Sequence, residues 1–150
     1  MTFQKLNAEN IGLYIEYLRQ ALKEEPDMMW IDAVDEAALR ERICDPLYQN
    51  TPSILAIDDG RVVGRIEYHF YGCLQDGYRL AYVDWLYVLK DYRHRGIAQR
   101  LFDEFELECL EHRIDQYFLI RAENPEADSF YSAREHAELT RTPTLRKTLS

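Results

Sequence analysis

The chain has no uncharged apolar run near the roughly 20 residues that a bilayer-spanning helix needs. No membrane partner is therefore expected. Its opening residues, Met1-Thr2-Phe3-Gln4-Lys5-Leu6, lack the apolar stretch and cleavage site of a secretory signal. Cysteine is scarce: Cys44, Cys73 and Cys109 are odd in number, widely spaced and form no CxxC pair. That excludes a disulfide framework and a cysteine zinc site, and it suits reduced thiols in a cytoplasm. Positive charge is short as well, with 18 Lys and Arg against 27 Asp and Glu, a net −9. A protein that reads nucleic acid needs a basic face, because neutralising phosphates supplies most of its affinity, so DNA and RNA are poor partners here. The same acidity would favour the approach of a cationic amine, although it also serves plain solubility. There is no repeat, low-complexity tract or linker-like stretch, which predicts one domain over residues 1–150. No Ser/His/Asp or Cys/His order stands out for nucleophilic catalysis.

What is present is a core. An apolar fraction of 47% with 13% aromatics excludes a disordered chain, and 150 residues can bury a sizeable interior. A first strand is expected over residues 2–6. Asn7 stands where a helix N-cap would, ahead of Ile11, Tyr14, Ile15, Leu18 and Leu22 at helical spacing. Pro26 predicts the end of that helix, and a second is expected over residues 32–43, closed by Asp45-Pro46. The period then changes. Residues 53–57 read as a short apolar strand and Asp58-Asp59-Gly60-Arg61 as a hairpin turn. Residues 62–71 form a longer strand, with apolar even positions and Arg65, Glu67 and His69 on the odd ones. Residues 80–88 make the most apolar strand. A basic loop over residues 92–98 runs into a helix of about 17 residues with Ile97, Leu101, Phe105 and Cys109 on one stripe. Cys109 is expected in the core. Residues 116–122 read as a buried strand, residues 126–136 as a last helix opened by Asn124-Pro125, and residues 138–149 as a terminal strand broken near Pro143. The order β-α-α-β-β-β-α-β-α-β predicts a mixed α/β domain with a mostly antiparallel central sheet. His112 and His136 are expected on helix surfaces.

The most informative segment is Arg93-His94-Arg95-Gly96-Ile97-Ala98. A buried strand ends, a short loop follows, and a helix begins near Gly96. The first N–H groups of a helix have no internal partner and carry the positive end of its dipole. Glycine lets the backbone approach a ligand closely, so the segment reads as an anion cradle suited to a pyrophosphate.

These residues match the Arg/Gln-x-x-Gly-x-Gly/Ala signature of the Gcn5-related N-acetyltransferase (GNAT) superfamily. The preceding Tyr82-Val-Asp-Trp-Leu-Tyr-Val88 resembles its fourth strand. The resemblance implies that Arg93, His94, Arg95, Gly96, Ile97 and Ala98 hold the CoA pyrophosphate. It implies that Leu86, Tyr87 and Val88 pair their backbone with the pantetheine arm and acetyl group, and that Asn124 contacts the pantetheine. Acetyl-CoA is the implied cosubstrate, and no metal is required.

Asp84 lies in a run with no other charge, and alternation puts it on one strand face with Tyr82, Leu86 and Val88. An unpaired buried carboxylate is costly, so it should have a partner or a purpose. The resemblance makes Asp84 a general base or an ammonium-binding carboxylate, and the alternative is a partly exposed Asp paired with an arginine. It likewise makes Tyr131 the acid that protonates, or holds, the departing thiolate, against a plain core tyrosine. Asn124 is also explained by helix capping alone. Glu67 and His69 would border the acceptor site, or simply lie on a solvated sheet face. The acceptor wall implied by the resemblance comprises Asp27, Met28, Met29, Trp30, Asp32 and the turn between Tyr71 and Tyr78, with Trp30 packed into the core as the simpler expectation. Two features depart from the pattern: Ala133-Arg-Glu-His-Ala-Glu138 replaces the usual glycine and aromatic, and the terminal strands are short. The leading expectation is acetyl-CoA-dependent N-acetylation of a small-molecule or peptide amine. The alternative is a catalytically silent CoA sensor or partner-binding module, and pairing with a second copy of the chain stays open.

Overall fold

In a computed structural model, residues 1–149 are described. The elements are β1 (Thr2–Lys5), α1 (Ile11–Glu24), α2 (Glu36–Arg42), β2 (Ser53–Asp58), β3 (Arg61–Gly72), β4 (Arg79–Val88), α3 (Ile97–Glu111), β5 (Gln116–Leu119) and α4 (Pro125–Ser132). Short 3-10 turns occupy Pro26–Met28, Tyr48–Asn50 and Lys90–Tyr92. The chain divides into two compact units, Met1–Leu119 and the residues from Ile120 onward.

The first unit holds a five-stranded sheet in chain order β1-β2-β3-β4-β5. Its first three pairings are antiparallel, and β5 joins β4 in parallel after the α3 crossover. The result is the mixed, mostly antiparallel α/β sheet that the period changes predict. Asp59 and Gly60, both at positive φ, turn β2 into β3 as a two-residue hairpin requires.

Each sheet face is covered by one long amphipathic helix. α1 buries Ile11, Tyr14, Ile15, Tyr17, Leu18 and Ala21 against Leu55, Ile57, Val62 and Tyr87. α3 buries Ile97, Leu101, Phe102, Phe105 and Cys109 on the opposite face, with the Phe105 ring 4.8 Å from that of Tyr68. Each large apolar side chain buried this way contributes about 1.5–3 kcal/mol. At Gly64, α3 and β4 both crowd β3. A Cβ there would lie 3.2 Å from Val88, 3.3 Å from Ile97 and 3.3 Å from Leu101.

Several expectations change. Asn7 does not cap α1: its Oδ1 accepts the Glu9 and Asn10 amides and closes a turn ahead of the helix, which starts at Ile11. α2 starts at Glu36 because the Asp35 carboxylate accepts the Ala38 amide at 3.0 Å, and none of its seven residues is buried. Val62 leaves the even set of β3. The register steps from Ala56↔Gly64 to Ile57↔Val62, so Val63 is an extra residue and Val62 joins the α1 cluster. β5 stops at Leu119 and α4 at Ser132, which leaves His136 beyond the helix. No strand forms over residues 138–149, where Pro143 lacks a donor and Leu145 is exposed, so nothing there presents an apolar face to a ladder. Among the described residues, no helix is long and apolar enough to cross a membrane.

Candidate functional site

β4 is where the sheet becomes irregular. Its register with β3 passes from Glu67↔Trp85 to Tyr68↔Val83, which leaves Asp84 as the unpaired extra residue of a β-bulge. The bulge corrects the face assignment read from alternation. Leu86 and Val88 pair with Ile66 and Gly64 on the α3 face, whereas Asp84 joins Tyr82, Trp85 and Tyr87 on the α1 face. Asp84 is not buried; its side chain is 50% exposed, and its ionic neighbour is His69 rather than an arginine.

The pairing with β5 ends at Val83↔Leu119, so among the described residues no strand adjoins β4 on that side beyond this point. The Leu89 amide donates to the Val63 carbonyl at 2.9 Å. Alternation along an antiparallel ladder therefore directs the peptide groups of Tyr87 toward β3 and those of Leu86 and Val88 toward the open edge. The Val88 carbonyl already accepts Arg93 Nε at 3.1 Å.

The α1 face below this edge is densely cross-linked. The Arg65 guanidinium is 4% exposed and lies 5.0 Å from the ring centres of both Tyr14 and Trp85. Its Nη1 donates to Glu67 Oε2 at 2.6 Å and to Ser53 Oγ at 3.1 Å. Arg65 is therefore not solvated, because tyrosine and tryptophan rings replace its water. The Tyr17 hydroxyl donates to the Tyr87 carbonyl at 2.9 Å and is pushed up to about 12 by burial. At the end of α1, Glu24 accepts from the Tyr87 hydroxyl at 2.9 Å and the Lys90 amide at 3.0 Å. Burial opposes the Glu24 charge, yet bonds from Gln20, the Lys90 amide and Tyr87 together hold its carboxyl below the usual range. This strap fixes the end of β4 to the loop that follows.

In that loop Arg93 turns inward, with Nη2 donating to Glu25 at 3.3 Å and its guanidinium over the Tyr87 ring. Arg95 donates to the Asp91 carbonyl at 2.8 Å and stays exposed. His94 and Gly96 have φ of 60° and 73°, and Gly96 is the left-handed N-cap of α3 without a side-chain cap. Among the described residues, no acceptor pairs with the backbone amides of residues 94–99. A Cβ on Gly96 would meet nothing within 4 Å. Six successive unpaired donors at a helix start, with a positive-φ glycine among them, are backbone chemistry suited to an anion. His94 and Arg95 lie on the exposed rim, and Ile97 is buried as an anchor.

His69 was legible in the sequence as an odd-position residue, but its company was not. Its ring stacks on Tyr82, Nδ1 lies 3.5 Å from Thr51 Oγ1, and Nε2 lies 3.7 Å from Asp84 Oδ2. Glu67, His69 and Asp84 each offer one ligand-type atom, all within 4.8 Å of one another. Trp30, expected in the core, is 83% exposed, while its neighbours Met28 and Met29 pack on the α1 cluster.

Asn124 and Tyr131 belong to the second unit. Asn124 Oδ1 accepts the Ala127 amide at 2.8 Å and caps α4, with Pro125 in the first turn. Tyr131 is half-buried near the end of that helix, its ring 5.1 Å from that of Phe130, and burial raises its hydroxyl pKa.

Comparison with known proteins bears on this geometry. The chain superposes on an aminoglycoside acetyltransferase, meta-AAC0020 from an uncultured soil metagenomic sample, crystallised with sisomicin. That match has a TM-score of 0.82 at 16% identity, covering 99% of this chain and 96% of the other. A ribosomal-protein-alanine N-acetyltransferase from Brucella melitensis biovar Abortus 2308 gives 0.74 at 19%, covering 98% and 100%. Aminoglycoside N-acetyltransferase AAC(6')-Iy in complex with CoA gives 0.72 at 18%, covering 97% and 93%. At such identities the likeness is one of fold. No curated protein matches the sequence. The model of the Acetyltransferase (GNAT) family matches residues 15–135, which include most of α1, the bulged strand, the loop with the unpaired amides and α3. On that match this chain belongs to the GNAT acetyltransferase family.

Proposed function

We propose that the chain transfers the acetyl group of acetyl-CoA to a primary amine of a small molecule or peptide. The observation that supports this reading is the run of unpaired amides at residues 94–99 at the start of α3, the kind of backbone that receives a phosphate. The rim residues His94 and Arg95 add donors and charge. The outward peptide groups of Leu86 and Val88 fit the amide-bearing pantetheine arm, which would extend the sheet as a strand does. An N–H on that edge would also stabilise the oxyanion that develops on the thioester carbonyl.

The acceptor would meet the α1 face at Asp84. Arg65 already supplies positive charge to Glu67, so an organic ammonium suits the remaining carboxylate and imidazole better than a metal ion does. The net −9 charge and the exposed Trp30 agree with a cationic acceptor. Tyr131 would protonate or hold the leaving thiolate, as the family pattern implies, and Asn124 would act on the pantetheine besides capping α4. No step in this scheme needs a metal.

The test is thiol release from acetyl-CoA with aminoglycosides such as sisomicin, spermidine and other polyamines, amino acids and peptide amines. Amine-dependent CoA release with acetylated product is the expected result. Tight CoA binding with no release across that panel would replace this reading by the silent-sensor alternative.

A further inference from the structure

We propose that Glu67, His69 and Asp84 form a cradle for the acceptor ammonium in which His69, not Asp84, takes its proton. This deepens the acetyl-transfer reading above and rests on it.

The geometry begins with size. Three atoms lying within 4.8 Å of one another leave a point no more than about 2.8 Å from each, which is the length of a hydrogen bond from nitrogen to oxygen. A primary ammonium has three N–H donors, and the cradle has three acceptors. The two carboxylates fix and neutralise the charge. Arg65 offsets part of the Glu67 charge, so the site holds one net negative charge for one ammonium when His69 is neutral.

The bulge creates the cradle. Without the extra residue at Asp84, β3 and β4 would alternate in step and this carboxylate would not reach the imidazole. The imidazole is also oriented. Its ring stacks on Tyr82, Nδ1 lies 3.5 Å from Thr51 Oγ1 and Nε2 lies on the Asp84 side; in the tautomer protonated at Nδ1, Nε2 carries the free lone pair. The titratable and charged groups facing it are Asp84 and Tyr82 from β4 and Glu67, with its partner Arg65, from β3.

The chemistry favours the imidazole as base. A free carboxylate has a pKa of about 4, an imidazole about 6.5 and an alkylammonium about 10, so proton transfer to imidazole is the less uphill of the two. The R–NH3⁺ group gives one proton to His69 Nε2, and the amine lone pair attacks the thioester carbonyl carbon. The C–S bond then breaks, with its electron pair going to sulfur. The second N–H proton ends on that sulfur as CoA-SH, and the third stays on the amide nitrogen. His69 releases its proton to water, to which its side chain is 34% exposed.

The test is the pH profile of kcat/KM for acetyl transfer, with spermidine tried first and then the other panel amines. The wild-type profile should show an acid limb. His69→Gln should lose that limb and about 100-fold in rate, with CoA affinity and melting temperature unchanged. His69→Ala should regain turnover with added imidazole, which a structural role would not produce. Asp84→Asn should raise the KM for the amine and keep the limb. An unchanged limb in His69→Gln, or no imidazole rescue in a folded His69→Ala, overturns the relay while acetyl transfer stands. Absence of turnover by the wild type across the panel overturns both.

Discussion

Arg65 shows how a single side chain can organise a site without touching the reaction. Its planar cation lies over Tyr14 and Trp85 and donates from Nη1 to both Glu67 and Ser53, so it fixes the position of a carboxylate in the acceptor cradle. Removing one partner of a buried ion pair leaves the other unpaired, at a cost of about 3 kcal/mol or more. Arg65→Ala should lower the denaturation midpoint accordingly, and Arg65→Lys should recover little of it, since an ammonium cannot stack in a planar slot. Chemical denaturation of the three proteins checks both. Tyr131 supports a different prediction. If its hydroxyl serves the departing thiolate, Tyr131→Phe should lower kcat by about 10- to 100-fold while the CoA dissociation constant holds. A parallel loss of CoA affinity would make it a packing residue instead.

At the scale of elements, Gly64 is the contact on which α3 and β4 agree. A methyl there would press on Val88, Ile97 and Leu101 together, three residues that frame the amide cradle. Overpacking of this kind costs about 1–3 kcal/mol, so Gly64→Ala should both lower the melting temperature and weaken CoA binding. Calorimetry with and without CoA would separate the two effects. The long elements were legible in the sequence because each carries its own period: α1 and α3 at helical spacing, β3 in alternation, the β2–β3 turn in Asp59-Gly60. Asp84 illustrates what was not. Its strand was evident, but its face depends on a bulge in the β3 register, a long-range pairing that no local period encodes. Trp30 departs from expectation for a similar reason, since composition does not say which of three neighbouring apolar residues turns inward. The cradle at residues 94–99 was legible as a motif, and the inward lock of Arg93 on Glu25 and Val88 was not.

Over the whole molecule, charge is the property that reaches farthest. A net −9 favours the encounter with a polycation and disfavours one with a polyanion, and salt screens both. Raising ionic strength from about 0.05 to 0.5 M should therefore lower kcat/KM for spermidine by several-fold, and change it little for a neutral-chain monoamine. Insensitivity in both would restrict the acidic surface to solubility. The claim beneath all of this is that the backbone ahead of α3 binds a diphosphate. Isothermal titration of the protein with CoA, beside pantetheine that lacks the diphosphate, tests it most directly. The account predicts micromolar binding of CoA and affinity for pantetheine weaker by about 100-fold. Equal affinities, or no heat from CoA at millimolar concentration, would contradict it.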